Sequence, residues 1–181
     1  MTIPCLLCAY YFVYAVCRYA SVENNGDYTS LFYLIHGPMH EIGHFLCSSR
    51  FLPEILHVFA GTLFQWLTPV AAGIQFIRIR EYPAIAVCLG WLGLSMLDTM
   101  VYMRDAREQE LQLVSPFANG GEIIHDWTYI FQHTGMLNHA DTIANITGFF
   151  GYVLAGAAVL WILYMTGYGI VELVRSKRKN H

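Results

Sequence analysis

Between residues 29 and 51 the chain is apolar enough and long enough to cross a bilayer, yet its stretch HGPMHEIGHFL holds His36, His40, Glu41 and His44. Crossing a hydrocarbon core as a helix takes about 20 apolar residues. An ionisable side chain at that depth is costly unless it faces a bundle interior or a wet cavity. The run therefore constrains the fold twice. Its length asks for a helix in a membrane, and its polar residues ask for neighbouring helices that shield them from lipid. Pro38 inside it removes a backbone hydrogen bond and predicts a kink just before His40.

Four further runs, at about 3–20, 55–77, 83–103 and 146–174, have comparable length. Composition agrees with a membrane chain, with 56% hydrophobic and 13% charged residues against about 25% charged in a soluble domain, and a mean hydropathy of +0.42. The expected fold is all-α: a polytopic bundle of about five transmembrane helices forming one domain over 1–181, with a polar segment at 104–145. The first run has no basic segment ahead of it and reads as a helix rather than a signal peptide. The five cysteines lie inside apolar runs, where they behave as small hydrophobes and suggest no disulfide framework. A net charge of −3 without a basic stripe gives no nucleic-acid footprint, and no nucleic-acid partner is expected.

Five crossings put the N-terminus, Arg50, Arg104 and Arg107 on one side, and Arg78, Arg80, Arg175, Lys177, Arg178 and Lys179 on the other. The positive-inside rule then places the C-terminal tail in the cytoplasm and 104–145 on the outer, periplasmic side of a bacterial inner membrane. Within that segment SPFANGGE at 115–122 reads as a turn. HDWTYIFQHTG reads as a short amphipathic helix stopped at Gly135, with His125, Tyr129 and His133 on one stripe. In the last helix Gly148, Gly151, Ala155 and Gly156 form a small-residue face suited to close packing.

HEIGH at 40–44 is an H-E-x-x-H sequence. Positions i and i+4 lie on one helix face, so His40 and His44 can offer ring nitrogens to one metal ion. Glu41 points about 100° away around the axis, placed to act as a general base on a water without ligating. The pattern suits one Zn2+ per chain, which needs a third protein ligand. Asp98, Asp105, His125 and Asp126 are all placed to supply it or to support it. His36, one turn deeper, reads as a hydrogen-bonded residue. Gln65 is either a helix-to-helix hydrogen bond or a substrate contact, and Trp127 an interface anchor or a site wall. His57, His133 and His139 read as surface residues.

HEIGH on a membrane helix followed by LDT at 97–99 resembles intramembrane metallopeptidases of the site-2-protease type, which implies zinc held by His40, His44 and Asp98. The resemblance is partial, because Thr99 stands where that family has glycine. HExxH together with GTLFQ (61–65), VYMRDAR (101–107) and HDW (125–127) is also similar to a family of small multi-pass bacterial membrane proteins. Those stretches span more than half the chain. This second resemblance implies no particular activity, but it favours His125 as third ligand, with Asp126 or Asp105 as its partner.

The expected function is a membrane-embedded zinc hydrolase, with Glu41 as base and a membrane-bound peptide, or a lipid amide or ester, as substrate. Two alternatives stand beside it. One is a catalytically silent metal-binding module that acts with a partner. The other is a di-iron redox site, suggested by Glu-x-x-His at 41–44, 54–57 and 122–125.

Overall fold

The computed structural model describes residues 2–21, 30–48, 52–111 and 125–179. The turn expected at 115–122, Glu122 of the third Glu-x-x-His, and Arg50 lie outside the described residues. Six α-helices follow one another: α1 Thr2–Ser21, α2 Tyr33–Cys47, α3 Glu54–Arg78, α4 Tyr82–Arg104, α5 Asp126–His133 and α6 Ala140–Lys179, with a 3-10 turn Leu137–His139 leading into α6. The described residues include no strand. Proline marks two starts, with Pro53 just ahead of α3 and Pro83 in the first turn of α4. Gly135, at φ +69°, stops α5 as its sequence suggests. The amides of Gly135 and Met136 donate back to Gln132 and Phe131, the paired closure of a left-handed helix cap.

Four of these helices are long and apolar enough to cross a membrane: Ile3–Ser21, Glu54–Arg78, Tyr82–Arg104 and Leu137–Lys179, the last including the 3-10 turn. Their outward faces are apolar, with Tyr10, Leu67, Leu160 and Tyr164 all exposed, as lipid-facing side chains would be. The run at 29–51 was expected to be a fifth crossing, but its helix α2 has only 15 residues. That is about 22 Å, short of a core about 30 Å thick.

Side-chain contacts give the helix directions. Phe12 packs against Gly90 and Tyr19 bonds Asp98, so α1 runs parallel to α4. Trp91 bonds His36 and the ring of Tyr102 meets that of His40, so α2 also runs parallel to α4. α3 and α6 run the other way: His40 faces Gln65 while His44 faces His57, and Gly148 meets Met100 while Ala155 meets Gly93. Because α1 and α2 are consecutive and parallel, α2 starts partway along the bundle.

Backbone amides at such a place need partners, since neighbouring lipid supplies none. Two tyrosines of α1 provide them: the Ser30 amide donates to the Tyr19 hydroxyl at 3.2 Å and the Leu31 amide to the Tyr11 hydroxyl at 2.6 Å. One end of the bundle thus gathers the start of α1, the 79–81 turn and the end of α6. The other gathers the ends of α2 and α4 with α5 and the starts of α3 and α6. The start of α1 therefore lies at the same end of the bundle as the end of α6, where five crossings would place the two termini at opposite ends.

A close seam joins α4 to α6. Gly93 and Gly151 lie backbone to backbone, and a Cβ on Gly151 would fall 2.9 Å from the Gly93 carbonyl oxygen and from Leu97. Gly156, expected on the same face, has nothing within 4 Å of its Cβ position. Gly151→Leu should therefore destabilise the bundle by about 1–3 kcal/mol through overpacking, while Gly156→Leu leaves it unchanged. Thermal denaturation of the two variants in detergent checks this, and equal melting temperatures would contradict the seam.

Candidate metal centre

HEIGH occupies the last two turns of α2, where α2 packs against α3 at very short range. Gly43 lies on the Ala60 carbonyl, leaving no room for a side chain. Gly61 of α3 faces both imidazoles: a Cβ there would be 2.5 Å from His44 Nε2 and 2.6 Å from His40 Nε2. The two glycines let the histidines lie against the α3 backbone, in a cradle that one methyl group would fill.

The neighbours fix where the ring protons sit. His44 Nδ1 lies 3.0 Å from the His57 carbonyl oxygen, which only accepts, so Nδ1 carries the proton and Nε2 presents a bare lone pair. His40 Nδ1 faces Gln65 Oε1 at a longer 3.4 Å. The Gln65 amide is oriented by its own Nε2, which donates to the Ser95 carbonyl at 3.3 Å. His40 therefore also presents a bare Nε2. Gln65, read as a possible substrate contact, has both ends of its amide engaged inside the protein and acts on His40.

The two Nε2 atoms are 3.0 Å apart, and Asp126 Oδ2 lies 2.8 Å from that of His40 and 3.2 Å from that of His44. Three acceptors facing one another at this range repel unless a cation lies among them, either a metal ion or an extra proton. Nitrogen and oxygen ligands at about 2.0–2.1 Å from zinc sit roughly 3.3 Å from each other in a tetrahedron, and three protein ligands leave one position open. The donor set and its spacing fit that description. Among the described residues this is the one group of histidine, cysteine and carboxylate ligands whose atoms converge in this way. Glu41 is half-buried on the same helix, and its charge reaches His44 and Tyr102.

His125, favoured as third ligand, is not in the group, because both its ring nitrogens are engaged elsewhere. It is the N-cap of α5: Nδ1 accepts from the Thr128 amide at 3.2 Å, and Nε2–H donates to Asp105 Oδ2 at 3.1 Å. Asp105 in turn accepts from the amides of Glu110 and Leu111, and the Thr128 hydroxyl donates to the Ala106 carbonyl. These bonds rivet the start of α5 to the end of α4, so that Asp126, the first residue of α5, reaches the histidines. Asp105 and His125 thus support the third donor.

Asp98 lies in a separate cluster. Its carboxylate accepts from Tyr19, from His36 Nδ1 at 2.6 Å and, at 3.4 Å, from the Ser30 hydroxyl. Trp91 donates to His36 Nε2 at 2.6 Å, which sets the His36 tautomer and ties α1, α2 and α4 together. The ligand that the site-2-protease resemblance implies is therefore held away from HEIGH. Trp127 is a buried wall against Phe59 and Phe131 rather than an interface anchor. Two residues of the site went unmarked in the sequence: Gly61, and Tyr102, whose hydroxyl accepts the Asp126 amide at 3.1 Å. Both lie in the GTLFQ and VYMRDAR stretches.

Burial pushes the His125 pKa down, against the opposing charge of Asp105. A folded histidine with a lowered pKa contributes no loss of stability above its unfolded value of about 6.5, and stability falls as pH drops through that value. The melting temperature should therefore decline between about pH 7.5 and 5.5, and less steeply in His125→Asn, which retains a capping side chain. Parallel slopes in the two proteins would contradict a neutral, buried His125. Comparison with protein-family models, curated proteins and solved structures finds no match for this chain.

Proposed function

We propose that the chain is an integral membrane hydrolase that cleaves amide bonds of membrane-bound peptides, with one zinc ion held by His40, His44 and Asp126. The observation that carries this reading is the convergence of three acceptor atoms with no donor among them. The zinc ion supplies Lewis acidity when bound, making a water acidic near neutral pH and polarising a carbonyl.

The protein's own groups do the rest. His40 and His44 are held in one tautomer by Gln65 and the His57 carbonyl, second-layer bonds of the sort that orient metal-binding histidines. Asp126 brings a negative charge to balance the cation, and α5 covers the site on one side. Glu41 takes the proton of the attacking water and passes it to the leaving amine. Placement beside apolar, lipid-facing helices supports a membrane-bound substrate, and a lipid amide or ester would meet the same chemistry.

The distribution of Lys and Arg supports an orientation. Arg78, Arg80, Arg175, Lys177, Arg178 and Lys179 lie at the end opposite the site, against Arg18, Arg104 and Arg107 at the site end. The positive-inside rule then puts both termini in the cytoplasm and α5 on the outer face. A di-iron site would need further carboxylates at the histidines. Glu54 of the second Glu-x-x-His instead sits exposed at the start of α3.

Elemental analysis of detergent-purified protein should find about one zinc per chain. The metal should be lost in His44→Ala, Asp126→Asn and Gly61→Ala, and kept in Glu41→Gln and Asp98→Asn. His125→Asn should keep it with affinity lowered roughly 10- to 100-fold. Glu41→Gln should lower peptide turnover by about 10²- to 10⁴-fold. A folded wild type without metal would mean that an extra proton holds the triad together. Zinc with no turnover at any peptide or lipid substrate would favour the silent module.

A further inference from the structure

Tyr102 places a hydroxyl beside the triad that the zinc-hydrolase reading leaves without a role. It stands on the last turn of α4, facing the first residue of α5. Its ring is held between two others, 4.4 Å from the His125 ring centroid and 6.3 Å from that of His40, which it meets edge-on. Its oxygen accepts the Asp126 amide at 3.1 Å. That bond uses a lone pair and leaves the phenolic O–H to point elsewhere. No acceptor for that proton is present among the described residues, while Glu41 is near enough for its charge to act on the phenol.

The side chain that contributes Oδ2 to the triad thus belongs to the same residue whose amide binds the Tyr102 oxygen. A short tether of covalent bonds keeps the hydroxyl beside the metal position. Asp126, His40 and His44 crowd one another, the Tyr102 ring meets that of His40 while its oxygen holds the Asp126 amide, and Glu41 follows His40 along α2. A base and a neutral donor at one site are what addition of water to a carbonyl requires.

We propose that the Tyr102 hydroxyl is a catalytic group, donating a hydrogen bond to the substrate carbonyl oxygen as it becomes an oxyanion. The assignment rests on the zinc-hydrolase reading above. In the step, the water oxygen forms a bond to the carbonyl carbon, the carbonyl π pair moves onto its oxygen, and the water proton passes to Glu41. Tyr102 keeps its own proton throughout. A donor fixed before reaction at the place where charge develops costs no reorganisation when the charge appears. The ring contacts with His40 and His125 provide that fixing.

A merely positioning role, in which Tyr102 only holds the Asp126 amide, makes a different prediction. The test uses the full chain in detergent loaded with Co2+, whose visible spectrum reports binding at the open position. Two probes are titrated: azide, which needs only the metal, and a phosphonate analogue of a hydrophobic dipeptide, which carries a tetrahedral oxyanion.

Tyr102→Phe should take up cobalt and bind azide as the wild type does, but bind the phosphonate roughly 10- to 100-fold more weakly, the size expected for one hydrogen bond to a charged oxygen. Equal phosphonate affinity in the two proteins would overturn the assignment. Loss of cobalt in Tyr102→Phe would reduce the residue to a positioning role and overturn it as well. A wild type that binds cobalt and azide but not the phosphonate would overturn it while leaving the metal site standing. A wild type that takes up no cobalt would overturn the hydrolase reading and this assignment together.

Discussion

The close approach of α2 to α3 is the contact on which the site depends. Two glycines permit it, Gly43 against the Ala60 carbonyl and Gly61 against the imidazoles. With the backbones this near, the His57 carbonyl and the Gln65 amide reach the Nδ1 atoms and force both lone pairs to the same point. A wider separation would let water satisfy the rings, and their tautomers would no longer be set. The state of each Nε2 is in this sense decided on the far side of its ring, by groups that never touch the point where the lone pairs meet.

The remaining polar groups obey the same constraint. A bilayer offers no hydrogen bonds, so polar groups within it draw their partners from other parts of the chain, although the buried Ser95 hydroxyl has none among the described residues. Tyr11 and Tyr19 receive the amides that lead into α2, and Asp98 collects donors from α1 and α2. Asp105 does the corresponding work at the site end, joining the end of α4 to His125 and to the turn at 110–111. Two carboxylates, the buried Asp105 and the partly buried Asp98, therefore hold α5 and α2, the two short helices that bring the triad together, and neither belongs to the triad.

Much of this was legible in the residues. The i, i+4 spacing of HEIGH places His40 and His44 on one face whatever the neighbours, and three of the apolar runs match their helices closely, while the helix expected at 146–174 begins at Ala140, inside the stretch read as polar, and runs to Lys179. The fifth run misleads because hydropathy counts side chains and says nothing of where backbone amides find partners. Two tyrosine hydroxyls on α1 allow α2 to begin partway along the bundle, and no local pattern announces them. HDW pointed to the start of α5, from which Asp126 reaches the histidines, but left adjacent candidates. Which of His125 and Asp126 faces the histidines follows from helix capping: the cap residue turns back onto the Thr128 amide, and the next residue projects outward. Asp98 read as a ligand because it is level with HEIGH along the helix axis. Its true neighbours depend on how α1 packs, a long-range relation that spacing along one helix does not contain.

The order of the triad along the chain has a consequence for biosynthesis. His40 and His44 leave the ribosome with α2, a helix too short to be retained in a bilayer as a span. The Trp91 and Asp98 that secure His36 follow about 50 residues later, and Asp126 later still. A nascent chain therefore displays two histidines long before it can complete the set of donors. The three converging atoms come together only when α5 docks on α4, so closure of the triad coincides with assembly of the bundle around it.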